Sequence, residues 1–150
     1  MRNYINIRKD VAKAKPAEEL FRQRLAKAWN LKVHYNPDRF IVDFSVTTND
    51  DTNRIVALVE IKVRNFKHDA FPSYFVGIRK FTHGVNYYNA TGIPFILGFA
   101  WADGVDTFYK YNPKDRDLFV FTHSGRTKQQ RDNQDISPVI HIPRELFKIL

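Results

Sequence analysis

Apolar residues change their period along this chain, and each change marks an element. From Pro16 to Trp29 the apolar positions Ala17, Leu20, Phe21, Leu25, Ala28 and Trp29 recur at helical spacing. Proline suits a first helical turn, so a helix is expected there, preceded by a flexible, partly basic arm over Met1 to Lys15. Leu31 to Tyr35 reads as a short strand and Asn36-Pro37-Asp38 as a turn. Phe40 to Val46 then alternates, with Phe40, Val42, Phe44 and Val46 on one side and Ile41, Asp43 and Ser45 on the other. A polar loop over Thr47 to Asn53 joins it to Arg54–Arg64, whose Ile55, Val56, Leu58, Val59, Ile61 and Val63 favour an extended, buried strand. A second helix is predicted from Pro72 to Thr91-Gly92, through Tyr74, Phe75, Ile78, Phe81, Val85 and Tyr88. Ile93 to Trp101 is nearly continuous apolar sequence, as a central strand requires. Shorter strands follow over Val105 to Tyr111, Leu118 to Thr122 and Ser137 to Ile142, with a turn at Asp103-Gly104, a polar loop from Thr122 to Asp135 and a terminal helical turn from Pro143. The order is α-β-β-β-α-β with extra C-terminal strands, and no repeat or boundary divides residues 1–150, so a single domain is expected.

Charge enters this pattern at one unusual place. Glu60 and Lys62 interrupt the Arg54–Arg64 strand near its end, on one face, with their Cα atoms about 7 Å apart. Burying an unpaired charge is costly, so the two groups either neutralise each other or bind something. If the hairpin pairs about residues 51 and 52, Asp43 lies across from Glu60, and two carboxylates that close need a cation between them. Lys62 or a metal can be that cation. Glu18 sits on the edge of the first helix's apolar stripe, while Glu19 points more toward solvent. On the second helix Ser73, Gly77, Lys80 and Gly84 share a smooth face that presents Lys80 toward the acidic strands or toward a phosphate.

Composition narrows the chemistry. The chain has no cysteine, which excludes disulfides and thiolate sites and leaves oxygen or imidazole ligands for any metal. Its five histidines are scattered without ligand spacing, and there is no Gly-rich phosphate loop. No apolar run is long enough to span a bilayer and no signal segment is visible, so a soluble, cytoplasmic protein without a membrane partner is expected. The net charge of +8 is unevenly spread: residues 1–35 carry nine bases and three acids, residues 36–75 five and six, and residues 76–150 ten and seven. An acidic centre framed by basic surfaces suits a cation site beside a polyanion, and nucleic acid is the common polyanion. Arg64 and Lys67 after the strand, and Arg126, Lys128 and Arg131 in the late polar loop, are the candidate backbone contacts.

Asp43 in one strand, Glu60-Ile61-Lys62 in the next, Glu18 in the helix before and Lys80 in the helix after resemble the PD-(D/E)XK nuclease superfamily, the fold of many restriction endonucleases, phage exonucleases and Holliday-junction resolvases. The tripeptide alone is weak, since about one acid-x-lysine is expected by chance in a chain of this composition; its context carries the likeness. The family's aspartate often follows a proline, which here would select Asp38, but Asp38 falls in a turn whereas Asp43 lies in the strand that pairs with the motif. The resemblance implies a restriction-endonuclease-like α/β (α+β) fold, a central mixed β-sheet flanked by helices. It implies a nuclease that hydrolyses phosphodiester bonds, of DNA by expectation, with Mg²⁺ or Mn²⁺ held by Asp43, Glu60, the carbonyl of Ile61 and Glu18. Lys62 would act on the attacking water, Lys80 on the phosphate, and a homodimer is plausible by resemblance. The alternatives are a non-catalytic nucleic-acid-binding module on the same fold and a domain in which Glu60 and Lys62 form a structural ion pair.

Overall fold

The computed structural model describes residues 4–125 and 136–150. Its centre is a six-stranded mixed sheet in the order β1-β2-β3-β5-β6-β9, formed by β1 (Lys32–Tyr35), β2 (Phe44–Thr47), β3 (Ile55–Val63), β5 (Phe95–Ala100), β6 (Asp106–Lys110) and β9 (Lys148–Ile149). β3 and β5 run parallel in the middle, and the other pairings are antiparallel. A smaller sheet in the order β4-β8-β7 combines β4 (Ser73–Gly77), β8 (Ile136–Pro143) and β7 (Val120–Gly125). Helix α1 (Tyr4–Trp29) covers one face of the large sheet, and α2 (Ile78–Thr91) with the small sheet covers the other. This is the α/β (α+β) architecture expected of a restriction-endonuclease-like fold, a central mixed sheet between helices.

Two apolar layers hold it together. Phe21 and Leu25 of α1, both fully buried, pack on Phe44, Val46, Val59, Ile61 and Ile96. On the opposite face Phe81 of α2 and Tyr74, Val76, Ile140 and Ile142 of the small sheet pack on Leu58, Phe95, Leu97 and Phe99. Each such side chain contributes about 1.5–3 kcal/mol of transfer free energy, so β3 and β5, buried on both faces, anchor the molecule. The stripe of α1 is Ala17, Phe21, Leu25, Ala26 and Trp29; Leu20 and Ala28, expected in it, are exposed, because they fall off the face that meets the sheet.

Four boundaries differ from the sequence reading. The expected arm is helical from Tyr4, with Pro16 inside α1. Proline lacks the N–H of an interior position and therefore reads as a start, while Ala12, Lys13, Ala14 and Lys15 before it are good helix formers. The strand expected from Phe40 begins only at Phe44, because the carbonyls of residues 41 to 43 accept from Lys80, the Asn36 side chain and the Asn36 backbone instead of from β3. The helix expected from Pro72 begins at Ile78; Ser73–Gly77 is β4, whose Tyr74 and Val76 point inward at a period of two. After Pro143 a short 3-10 turn (Arg144–Leu146) gives way to β9, which pairs with β6 and was not expected.

Gly98 in β5 allows the Phe21 ring to lie directly on the sheet, since a Cβ at that position would overlap the ring. Overpacking of this kind typically costs about 1–3 kcal/mol. Gly98→Ala is expected to lower stability by that amount in urea unfolding, and Phe21→Leu in the same chain to recover part of it. A Gly98→Ala protein as stable as the parent would show that α1 does not rest on β5 in this way.

Candidate active site

The site is built where β2 leaves β3. Phe44 pairs with Val59, so the next residues outward, Asp43 and Glu60, lie opposite each other. Asp43 is outside regular strand, and its Oδ2 accepts from the backbone N–H of Ile61 at 2.9 Å, taking a ladder bond that β2 no longer supplies. That bond ties the Asp43 carboxyl to the motif strand. Its other oxygen is left for a further partner.

Glu60 is 1 % exposed. Its Oε1 lies 3.1 Å from Lys62 Nζ and 3.7 Å from Lys80 Nζ, the latter reaching over from α2 and also donating to the Ile41 carbonyl at 3.2 Å. Its Oε2 is buried and has no hydrogen-bond partner among the described residues. Burial pushes the Glu60 carboxyl up to about 7; Lys62 opposes the shift, Asp43 adds to it and Lys80 opposes it. Glu18, partly buried on α1, is raised by burial and then by Asp43, against Lys62 and Lys15. Two carboxyls and two amines therefore meet at one place, drawn from the turn before β2, β3 and α2, and Glu18 of α1 lies beside it, coupled to Asp43 and Lys62.

A buried carboxylate oxygen without a partner is costly, and such groups in folded proteins generally mark a missing ion or water. The two lysines satisfy Oε1 only. Oε2 of Glu60 and the second oxygen of Asp43 are oxygen donors of the kind hard divalent cations take, whereas the ligand atoms of Glu18, Asp43 and Glu60 do not all lie within 4.8 Å of one another, so the two strand carboxyls fit such an ion with Glu18 reaching it through water.

The other expected contacts are placed differently. Arg64 does not project freely: it donates to the Phe75 carbonyl at 2.7 Å, and its guanidinium lies 5.3 Å from the ring centroids of both Phe75 and Phe99. Burial lowers its pKa to about 10. Lys67 is exposed in the loop after β3. Arg126, Lys128 and Arg131 lie outside the described residues. Asp38 is exposed in the turn, lining a cavity with Arg39, Phe40, Arg79 and His83, whereas Asp43 holds Ile61. Glu19, expected to face solvent, accepts from Arg22, Gln23 and Tyr35 and ties α1 to β1; those bonds hold its carboxyl down at about 2. Away from this site His68, Asp69 and Asp103 present ligand atoms within 4.8 Å of one another, although the histidines of the sequence gave no spacing signal. Within that group His68 Nδ1 lies 2.7 Å from Asp103 Oδ2, an ion-pair contact, and Asp69 is exposed.

Sequence reasoning missed Arg39, Arg79 and His83. The signal available was the i, i+4 spacing of Arg79 and His83 beside Lys80, which marks one helix face but not what that face meets.

The native Glu60 keeps its proton to about pH 7, whereas an unfolded glutamate releases it near the ordinary 4.5. The folded state thus binds more protons in that window, so without metal its stability is full below 4.5 and is lost as pH rises through 7. A loss of about 2 kcal/mol is expected between about pH 5 and 8 in EDTA, read as a falling denaturation midpoint, and Glu60→Gln should flatten it. An equal slope in Glu60→Gln would place the titration elsewhere.

A family model described as "Phage putative PDDEXK endonuclease" matches residues 8–150 of the chain. No curated protein and no solved structure matches it.

Proposed function

Because the chain belongs to the phage PDDEXK endonuclease family, we propose that it is an active, divalent-metal-dependent nuclease that hydrolyses phosphodiester bonds of DNA, with residues 1–150 working as one nuclease domain in the cytoplasm. The observation that supports this most is the buried Oε2 of Glu60, across from Asp43 and without a partner among the described residues. A structural ion pair explains Oε1, which has two lysines, and leaves Oε2 at full desolvation cost.

Asp43, Glu60 and the Ile61 carbonyl would hold Mg²⁺ or Mn²⁺, with Glu18 contributing through water. When bound, the ion supplies positive charge at the phosphodiester and lowers the pKa of a nearby water. The protein's own groups do the rest. Lys62, on the same strand face as Glu60, orients the attacking water and offsets negative charge that grows at phosphorus. Lys80, half-exposed and bound to the Ile41 carbonyl, holds a non-bridging phosphate oxygen at the other side of the site. The water oxygen bonds to phosphorus as the bond to one bridging oxygen breaks, and that oxygen leaves with a proton as a free hydroxyl. Asp43 has a second duty, since its bond to Ile61 N–H keeps the motif strand in register beside the substrate. Lys67 and the basic surfaces hold the flanking backbone.

Plasmid DNA is expected to be nicked or linearised with Mg²⁺ and left intact with EDTA, and Lys62→Ala to slow cleavage by at least about 100-fold, the scale of a lost proton-transfer or charge-stabilising group. Mg²⁺ should raise the melting temperature of Lys62→Ala as it does the parent, but not that of Asp43→Asn or Glu60→Gln. Binding of DNA without cleavage under any metal would instead identify a binding module on this fold.

A further inference from the structure

The turn that peels away from β2 and the first half of α2 enclose a cavity of about 280 Å³, lined from the turn by Arg39, Phe40 and Ile41 and from α2 by Arg79, Lys80 and His83. Asp38 is the one carboxylate on its wall. Among the described residues neither Arg39 nor Arg79 makes an ion pair, since the ion pairs found there use Arg22, Arg24, Lys62, His68 and Lys80. Two guanidinium groups on one small cavity repel each other unless an anion lies between them. Their planar forks match phosphate oxygens in pairs, which a solvated lysine does not.

Lys80 belongs to both places. It lines the cavity, and its Nζ is 3.2 Å from the Ile41 carbonyl and 3.7 Å from Glu60 Oε1. The cavity and the carboxyl cluster are therefore adjacent compartments with one amine between them. Phe40, 40 % exposed, is stacked nearly parallel on Tyr87 at 5.4 Å, which fixes a flat apolar surface at the cavity wall.

We propose that this cavity is the subsite for the phosphate next to the one being cleaved: Arg39 and Arg79 clamp it, His83 adds a donor, and the exposed edge of the Phe40–Tyr87 stack receives the attached base. The inference rests on the nuclease reading of the neighbouring cluster. It makes the substrate a polynucleotide strand that occupies two consecutive phosphate sites, with Lys80 between them. The second phosphate is either internal to the strand or a terminal one.

The test is binding of labelled DNA to the full chain in EDTA, followed by fluorescence anisotropy across a salt series. Each phosphate contact contributes about 0.7–0.9 to the slope of log K against log salt. Arg39→Gln/Arg79→Gln, which together remove the clamp on one phosphate, should lower that slope by about 0.7–0.9 and weaken binding at least about tenfold near 0.15 M salt. Lys110→Gln/Lys114→Gln removes the same charge from exposed positions on β6 and the turn after it, which line neither the cavity nor the carboxyl cluster, and should change binding less than about twofold. Equal losses in the two double variants would overturn the subsite, leaving only overall charge. Three substrates separate the sources of the phosphate: a larger loss on 5′-phosphorylated than on 5′-hydroxyl ends identifies a terminal group, and equal losses on both and on a closed circle identify an internal one. Cleavage by the parent with equal slopes in both variants sinks the subsite alone. The expected slopes with no cleavage in Mg²⁺ sink the hydrolytic reading alone, and no binding to any polynucleotide sinks both.

Discussion

The carboxyl of Glu60 is the group around which the energetics of this protein turn. It sits near the end of an apolar strand, buried on the face opposite α1, with one oxygen shared by two ammonium groups and the other without a partner among the described residues. Desolvation of a charged oxygen outweighs the benefit of a surface ion pair, which is why the carboxyl is pushed up to about 7 despite two lysines nearby. Evolution of stability alone would favour an apolar residue there. Retaining an acid, and placing Asp43 across from it, makes sense for a protein whose stable form includes a cation or a substrate at that place.

The fold supports that site by an interruption. β2 is only four residues long, and residues 36–43 leave the sheet just before the point at which a regular strand would have covered Glu60. The turn is not loose: Asn36 binds the Val42 and Asp43 carbonyls, and Lys80 binds the Ile41 carbonyl. The same departure frees the N–H of Ile61 for Asp43 and opens the cavity toward α2. One local irregularity thus yields a carboxyl cluster, a lysine between Glu60 and the Ile41 carbonyl, and a basic recess. Arg64, clasped between Phe75 and Phe99 and bonded to the Phe75 carbonyl, connects β3 to the small sheet and keeps that side of the cleft fixed.

Much of this was legible in the chain. β3 and β5 announce themselves because strands buried on both faces must be apolar throughout, and a charged pair in one of them has few innocent explanations. The Asp43–Glu60 opposition followed from counting back from the loop, and the paired register places them opposite each other. What failed was arbitration between competing periods. Tyr74, Phe75, Ile78 and Phe81 satisfy a helix, yet Tyr74 and Val76 are buried as a strand. Pro16 carries the chemistry of a helix start but lies within α1. The basic recess was invisible for a different reason: Arg39 and Arg79 are 40 residues apart, and only the packing of a turn on a helix brings them to one cavity.

The most direct measurement of the central claim is a crystal soaked in Mn²⁺ and examined by anomalous scattering. The account predicts a peak within coordination distance of Glu60 Oε2 and an Asp43 oxygen, lost in Glu60→Gln crystals. A peak at His68 and Asp103 alone, or no peak with Glu60 Oε2 bonded to an ordered water, would contradict it.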